Sequence, residues 1–203
     1  VHLGPPAATV APPSTINNST TFGDGADIIT GSKGTDNVRL GEGAGAAIAS
    51  GGNNNVAIGK DALASNTTAD NSTAVGFEAG TNSTGAQNTF FGRQSGKSVT
   101  SGTESVFVGN AAGRDGTSTG SYNIGIGSAC LNALTSGSNN IAIGRDALGA
   151  NTTASNNTAV GYQAGLANTT AADLTAIGYK AGTANTTGAY NTFIGKDAGL
   201  ANT

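Results

Sequence analysis

The sequence predicts an all-β fold, a solenoid of short parallel strands with rungs of about 17 residues, and two observations carry that expectation. The first is periodic. A glycine that closes a short β-branched and apolar run, followed three residues later by a small side chain, recurs ten times at intervals of 16 to 18 residues. These marker glycines are Gly41, Gly59, Gly76, Gly92, Gly109, Gly127, Gly144, Gly161, Gly178 and Gly195. The second is compositional: 33 glycines, 10% charged residues and neither Trp nor Met cannot fill an ordinary globular core of this length. A net charge of only -3 also sets the chain apart from highly charged disordered ones. Backbone pairing with stacked small side chains is the remaining way to order it.

A helical alternative fails on pattern. Helices need apolar residues at three- and four-residue spacing over ten or more positions, and glycine and Asn/Thr clusters interrupt every such window here.

Residues 1–21 contain all four prolines, as Pro5-Pro6 and Pro12-Pro13, among Ala, Ser, Thr and Asn, and read as an extended linker. His2, the single histidine, lies there without a neighbouring carboxylate and reads as a dangling side chain. Residues 22–36 carry a different rhythm, with Gly25-Ala-Asp27-Ile-Ile29 matched nine residues on by Gly34-Thr-Asp36-Asn-Val38. Glycine, aspartate two later and an aliphatic two after that is the spacing of nonapeptide calcium-binding β-rolls, and carboxylates with turn carbonyls supply the hard oxygen that Ca²⁺ takes. Asp27 and Asp36 are therefore the candidate calcium ligands, against a plain Gly/Asp lead-in turn: the next copy has Gly45 where aspartate should stand. No other cofactor is implied.

Residues 37–203 hold the ten marker repeats, and the pattern predicts their continuation beyond Thr203, where the last copy stops short of a full rung. Before nearly every marker stand large aliphatic or aromatic residues, among them Ile58, Val75, Phe91, Val108, Ile126, Ile143, Val160, Ile177 and Ile194. Two residues earlier every copy is β-branched, from Val38 to Thr192. Positions two apart share a face of a strand, so these two columns are expected to fill the coil's own core. The intervening position holds Ala57, Ala74, Phe90, Phe107, Ala142, Ala159, Ala176 and Phe193, with Arg39 the only charge. Strands apolar on both faces are buried on both. A coil this thin covers one face only, so this intervening column is expected to pack against identical neighbouring chains.

The marker is expected to be a turn at positive φ or a point of close backbone approach. Four residues before it stand Asn37, Asn55, Asn88, Asn123, Asn140, Asn157 and Asn191, with Ser72, Ser105 and Leu174 as variants. Stacked at one corner, their side chains are expected to link rung to rung. Asn-Thr-Thr segments such as Asn66-Thr-Thr68 and Asn151-Thr-Thr153 read as turns. Cys130 stands where other copies have alanine or serine and reads as a slot filler. At ~4.8 Å per strand, ten rungs make a rod roughly 50 Å long.

Asn139-Asn-Ile-Ala-Ile-Gly144 and Asn157-Thr-Ala-Val-Gly161 resemble the head repeat of YadA-like trimeric autotransporter adhesins, and are similar to repeats in long fibre proteins of tailed bacteriophages, cyanophages among them. The resemblance covers about residues 37–203. It implies a left-handed parallel β-roll with three chains side by side. The rungs here are longer than the usual adhesin repeat, and the Asn-Thr-Thr turn is where the extra residues fall.

The function classes separate on the same residues. No second histidine and no nucleophile elbow accompany the carboxylates, so the chain is not expected to be an enzyme; Lys60-Asp61, Arg145-Asp146 and Lys196-Asp197 read as solvated surface pairs. Nine basic residues against twelve acidic, without a basic run, argue against nucleic acid, and no apolar run approaches the ~20 residues of a membrane-spanning helix. The expected function, following the resemblance, is a homotrimeric structural and attachment fibre on the virion exterior, partnered with other fibre proteins and a host cell-surface molecule such as a glycan. The alternatives are the head of a bacterial cell-surface adhesin and, more remotely, an ice-binding solenoid.

Overall fold

The computed structural model describes residues 34–201. The linker at 1–21, most of the 22–36 segment and Asp27 lie outside the described residues. From Val38 the chain forms ten three-residue strands: β1 (Val38–Leu40), β2 (Val56–Ile58), β3 (Thr73–Val75), β4 (Thr89–Phe91), β5 (Val106–Val108), β6 (Ile124–Ile126), β7 (Ile141–Ile143), β8 (Thr158–Val160), β9 (Thr175–Ile177) and β10 (Thr192–Ile194). All pair in parallel, in chain order, in one sheet. Equivalent positions face each other, as in Ile141↔Thr158, Ala142↔Ala159 and Ile143↔Val160. This is a β-solenoid of about nine turns with rungs of about 17 residues.

Register is fixed around the whole circumference. Gly144 N–H donates to Ile126 O at 2.8 Å, Leu148 N–H to Ala164 O at 3.0 Å, Thr152 N–H to Thr169 O at 3.0 Å and Asn156 N–H to Ser138 O at 3.0 Å. The backbone thus pairs with the rung on either side even where no strand exists, which is how a coil this thin avoids burying orphaned amides. At the marker itself φ lies between 120 and 139° in all ten copies. A Cβ built on Gly109 would stand 2.5 Å from the carbonyl oxygen of Gly127 in the next rung. Both the backbone angle and the close stacking therefore demand glycine there.

The strand faces are opposite to the sequence expectation. Ala57, Ala74, Phe90, Phe107, Ala142, Ala159 and Ala176, expected to pack against neighbouring chains, are inside the coil at 0 to 1% exposure. Phe193 packs against the same cluster and is partly buried. Ile58, Val75, Phe91, Val108, Ile126, Ile143, Val160, Ile177 and Ile194, expected in the core, point outward; Phe91 is 55% exposed and Ile194 67%. The reason is the width of the coil. The wall opposite the sheet comes so close that the enclosed column accepts alanine readily and phenylalanine only where the far wall recedes.

That compensation is visible four residues after each marker. Leu63, Leu131 and Leu148 fill the core there in rungs whose strand contributes Ala57, Gly125 and Ala142. Where the strand contributes Phe90, Phe107 or Phe193, the far wall has Gly96, Gly113 or Gly199. A Cβ on Gly113 would be 2.7 Å from the Phe107 ring. Phe90 and Phe107 stack on each other in adjacent rungs, centroids 6.2 Å apart and planes 16° from parallel. In the Ala159 rung, Gly165 leaves room filled by Leu148 and Leu174, whose methyls lie 3.0 and 3.1 Å from where its Cβ would be. Ala74 and Ala176 likewise share their rungs with Gly80 and Gly182, where the rings of Phe90 and Phe193 from the neighbouring rung take up the space, so close packing is kept across adjacent rungs rather than within each one.

Two corners are built from side-chain to backbone bonds rather than from amide stacking alone. At the corner before each strand, Asn140 N–H donates to Asn123 Oδ1 and Asn157 N–H to Asn140 Oδ1, each at 3.0 Å, while Asn140 Nδ2 donates to Ala154 O at 2.9 Å. Ser105 substitutes with its hydroxyl oxygen, which accepts from Asn123 N–H at 3.1 Å. Leu174 receives Asn157 Oδ1 on its own N–H at 2.8 Å but brings no side-chain acceptor to continue the ladder. Beside it, Asn157 Nδ2 is buried with no hydrogen-bond partner among the described residues. At the second corner the asparagine of Asn-Thr-Thr is itself buried and closes its own turn, as in Asn151 Nδ2 to Ala154 O at 3.1 Å.

Candidate binding surface

Among the described residues no group of three or more His, Cys, Asp or Glu is placed to hold a metal ion. Asp36, one of the two candidate calcium ligands, lies just before β1 at a φ of 57°. Its proposed companion Asp27 lies outside the described residues. No described helix is long and apolar enough to cross a membrane.

The single cysteine is enclosed. Cys130 is fully buried, its thiol donates to Gly127 O at 3.2 Å, and burial, with Asp146 adding to it, pushes the thiol up to about 12. A thiol held protonated and covered is a packing group, because the thiolate is the reactive form.

Three surfaces run the length of the rod. The first is the outer face of the sheet, where the columns Val38 to Thr192 and Leu40 to Ile194 form a continuous apolar stripe. Leu40, Phe91, Ile126, Ile143, Ile177 and Ile194 are each between 38 and 67% exposed. Aliphatic pairs occupy both columns in β1, β2, β5, β6 and β7, whereas threonine takes the first column in β3, β4, β8, β9 and β10, so only the second column is apolar throughout. A long exposed apolar column of this kind is a candidate contact surface.

The second surface is the Asn-Thr-Thr side. There Thr135, Thr152 and Thr169 each donate their hydroxyl to the carbonyl of the equivalent residue one rung on, at 3.0, 3.0 and 3.2 Å. The hydroxyls tie the rungs together, and their methyl groups complete a polar but structurally committed wall.

The third surface follows the marker turn and carries the charge. Lys60 pairs with Glu42 of the preceding rung at 3.0 Å, a cross-rung contact in place of the expected pairing with Asp61. Arg145 and Asp146 approach to 3.3 Å, and Lys196 and Asp197 to 3.9 Å. Glu78 accepts from Lys97 and Gln94, both at 2.7 Å, and these bonds hold its carboxyl below the ordinary carboxylate range. Arg114 grips Asp115 with two nitrogens at 2.6 and 2.8 Å, which raises the guanidinium pKa and lowers that of the carboxyl. Solvent screens such surface pairs, which set local order more than stability.

On this side the residue directly after the marker forms an aromatic and cationic ridge that periodicity alone did not single out. Tyr162 and Tyr179 stack at 5.3 Å, Arg145 lies 5.8 Å from the Tyr162 centroid, and Lys180 and Lys196 lie 5.4 and 6.0 Å from that of Tyr179. Arg93 over Phe77, at 5.9 Å, repeats the motif earlier in the rod. The signal was present in the sequence: with the markers aligned, the following position reads Glu42, Lys60, Phe77, Arg93, Asn110, Ser128, Arg145, Tyr162, Tyr179 and Lys196, aromatic or cationic in its last four copies.

Comparison with protein-family models, curated proteins and solved structures returned no match. The class defined by the coordinates is therefore the fold, a parallel β-solenoid with one apolar and one charged long face.

Proposed function

We propose that this chain is the shaft of a structural and attachment fibre: a homotrimeric rod of three left-handed coils side by side, carried on the exterior of a tailed bacteriophage particle. It spaces or presents regions that engage a host cell surface. The observation that carries this reading is the solvent-facing apolar stripe along the sheet. It runs through all ten strands of one in-register sheet, and a partner equally long and equally periodic would cover it along its whole length. A second copy of the same chain meets that requirement without any further component.

The mechanical consequences follow from the bonding. Every rung is tied to its neighbours by backbone bonds and by the asparagine, serine and threonine ladders, so the rod resists bending and leaves few open segments for proteases. Many identical outer positions suit weak contacts made in parallel. The head of a bacterial surface adhesin would use the same rod on a cell instead of a virion, and the resemblance of the Asn-x-x-Ala-Ile-Gly repeat extends to both.

Sedimentation equilibrium of the full chain at micromolar concentration tests the reading. Three chain masses, with the frictional ratio of an elongated particle, are expected. A folded monomer at that concentration would remove the support that the stripe gives.

A further inference from the structure

We propose that the ridge formed by Arg145, Tyr162, Tyr179 and Lys196 binds an acidic linear glycan laid along the rod axis. The inference rests on the attachment reading above and names the ligand chemistry of that attachment. Its starting point is orientation. The two tyrosine rings are stacked 14° from parallel, with Arg145 near Tyr162 at one end and Lys180 and Lys196 near Tyr179 at the other. Their faces are therefore occupied by each other and by cations, and the stack turns its edges to solvent; Tyr179 is 46% exposed.

The edge of an aromatic ring is the positive part of its quadrupole, and the phenol adds an O–H donor. Neither phenol oxygen has a hydrogen-bond partner among the described residues. Guanidinium and ammonium groups offer donors and no acceptor. The ridge thus presents donors and positive potential over successive rungs, and selects a ligand rich in acceptors and negative charge. Asp146 and Asp197 stand beside Arg145 and Lys196 but at 3.3 and 3.9 Å, the longest ion pairs in the rod, and leave the cations able to engage a second anion. The cation–aromatic contacts hold the long cationic side chains over the column, which lowers the ordering cost on binding.

Spacing selects a polymer over a small anion. Strand-paired rungs repeat every ~4.8 Å, close to the repeat of an extended pyranose chain, so a polyuronate places one sugar against each rung from Arg145 to Lys196. Weak contacts of this kind sum along the rod.

The test is calorimetric titration of the full chain with an oligogalacturonate, with the same oligomer fully methyl-esterified, and with polyphosphate. Binding of the free acid, weakened as salt rises and absent for the ester, is expected. Arg145→Gln with Lys196→Gln should weaken it at least tenfold, Tyr162→Phe with Tyr179→Phe several-fold, and Arg93→Gln, beside a ring with no hydroxyl, not at all. Equal binding of acid and ester, binding of polyphosphate as tight as that of the acid, or no binding of any probe would overturn the proposal. Sedimentation of the same samples reports assembly separately, so an intact assembly without glycan binding counts against this ridge and not against the fibre.

Discussion

Ala142 and Ile143 are neighbours on β7 and meet opposite environments: the small side chain is sealed in the coil at 0% exposure and the large one stands in solvent at 38%. In most globular sheets the larger residue would be the buried one. Here the inner column is constrained by a wall a few ångströms away, whereas the outer column faces no such wall among the described residues. Size inside is set by the coil. The inner column belongs to the stability of one chain, and in the fibre proposed above the outer column belongs to the association of several.

The sharpest way to break that division is to empty the inside. Phe107→Ala should cost about 3–5 kcal/mol of chain stability in denaturant unfolding, because the ring is 1% exposed and stacked on Phe90. Phe91→Ala, on the outer column, should cost the dilute chain less than about 1 kcal/mol by the same measurement. Similar losses at both sites would erase the distinction.

Adding Gly113→Leu to Phe107→Ala should restore at least half of the loss. Leucine already occupies the equivalent site, as Leu63, Leu131 and Leu148, with φ of 48 to 49°. A double variant no more stable than the single one would show that rung volume is not exchanged between the two walls.

Asn140→Ala should come next, at about 1–3 kcal/mol, since it removes the acceptor for Asn157 N–H and the donor to Ala154 O inside the coil. Asn157→Ala should cost less, because its Nδ2 has no partner among the described residues and its Oδ1 serves Leu174 alone. The reverse order would contradict the ladder.

Cys130 gives a smaller and pH-dependent effect. Its folded pKa of about 12 lies above the ordinary 9.0, so the folded chain retains a proton that the unfolded chain releases. That contribution is complete below pH 9.0 and is lost as pH climbs towards about 12. Unfolding curves of the parent chain should therefore fall more steeply with pH across that window than those of Cys130→Ala. Parallel curves would mean the thiol is solvated.

Much of this architecture was legible in the sequence. The marker spacing located all ten strands, and the asparagine column four residues before the marker is the corner ladder. The faces were misread for a physical reason: both sides of each strand are apolar, so alternation carries no inside-outside signal. What did carry it was size. Phe90, Phe107 and Phe193 are each followed, four residues after the marker, by a glycine, namely Gly96, Gly113 and Gly199, whereas Ala57 and Ala142 are followed there by Leu63 and Leu148. Two columns that trade volume face each other across a core. The 22 non-glycine residues at positive φ among the described residues were also hidden, although Asn and Asp, which tolerate that conformation best, cluster just before the corner, at Asp36, Asn54, Asn71, Asn139, Asn156 and Asp173. The aromatic and cationic ridge was the least legible part, because the residue after the marker varies from copy to copy and gains meaning only once the rungs are stacked.

The central claim is that the outer column is covered by copies of this chain, and a cysteine placed in it tests this most directly. Ile143→Cys, in a chain with Cys130→Ala, should form a disulfide between chains under mild oxidation at micromolar concentration, seen as a covalent dimer on a denaturing gel. A variant that stays uncrosslinked while its thiol reacts at once with a soluble reagent would contradict the account.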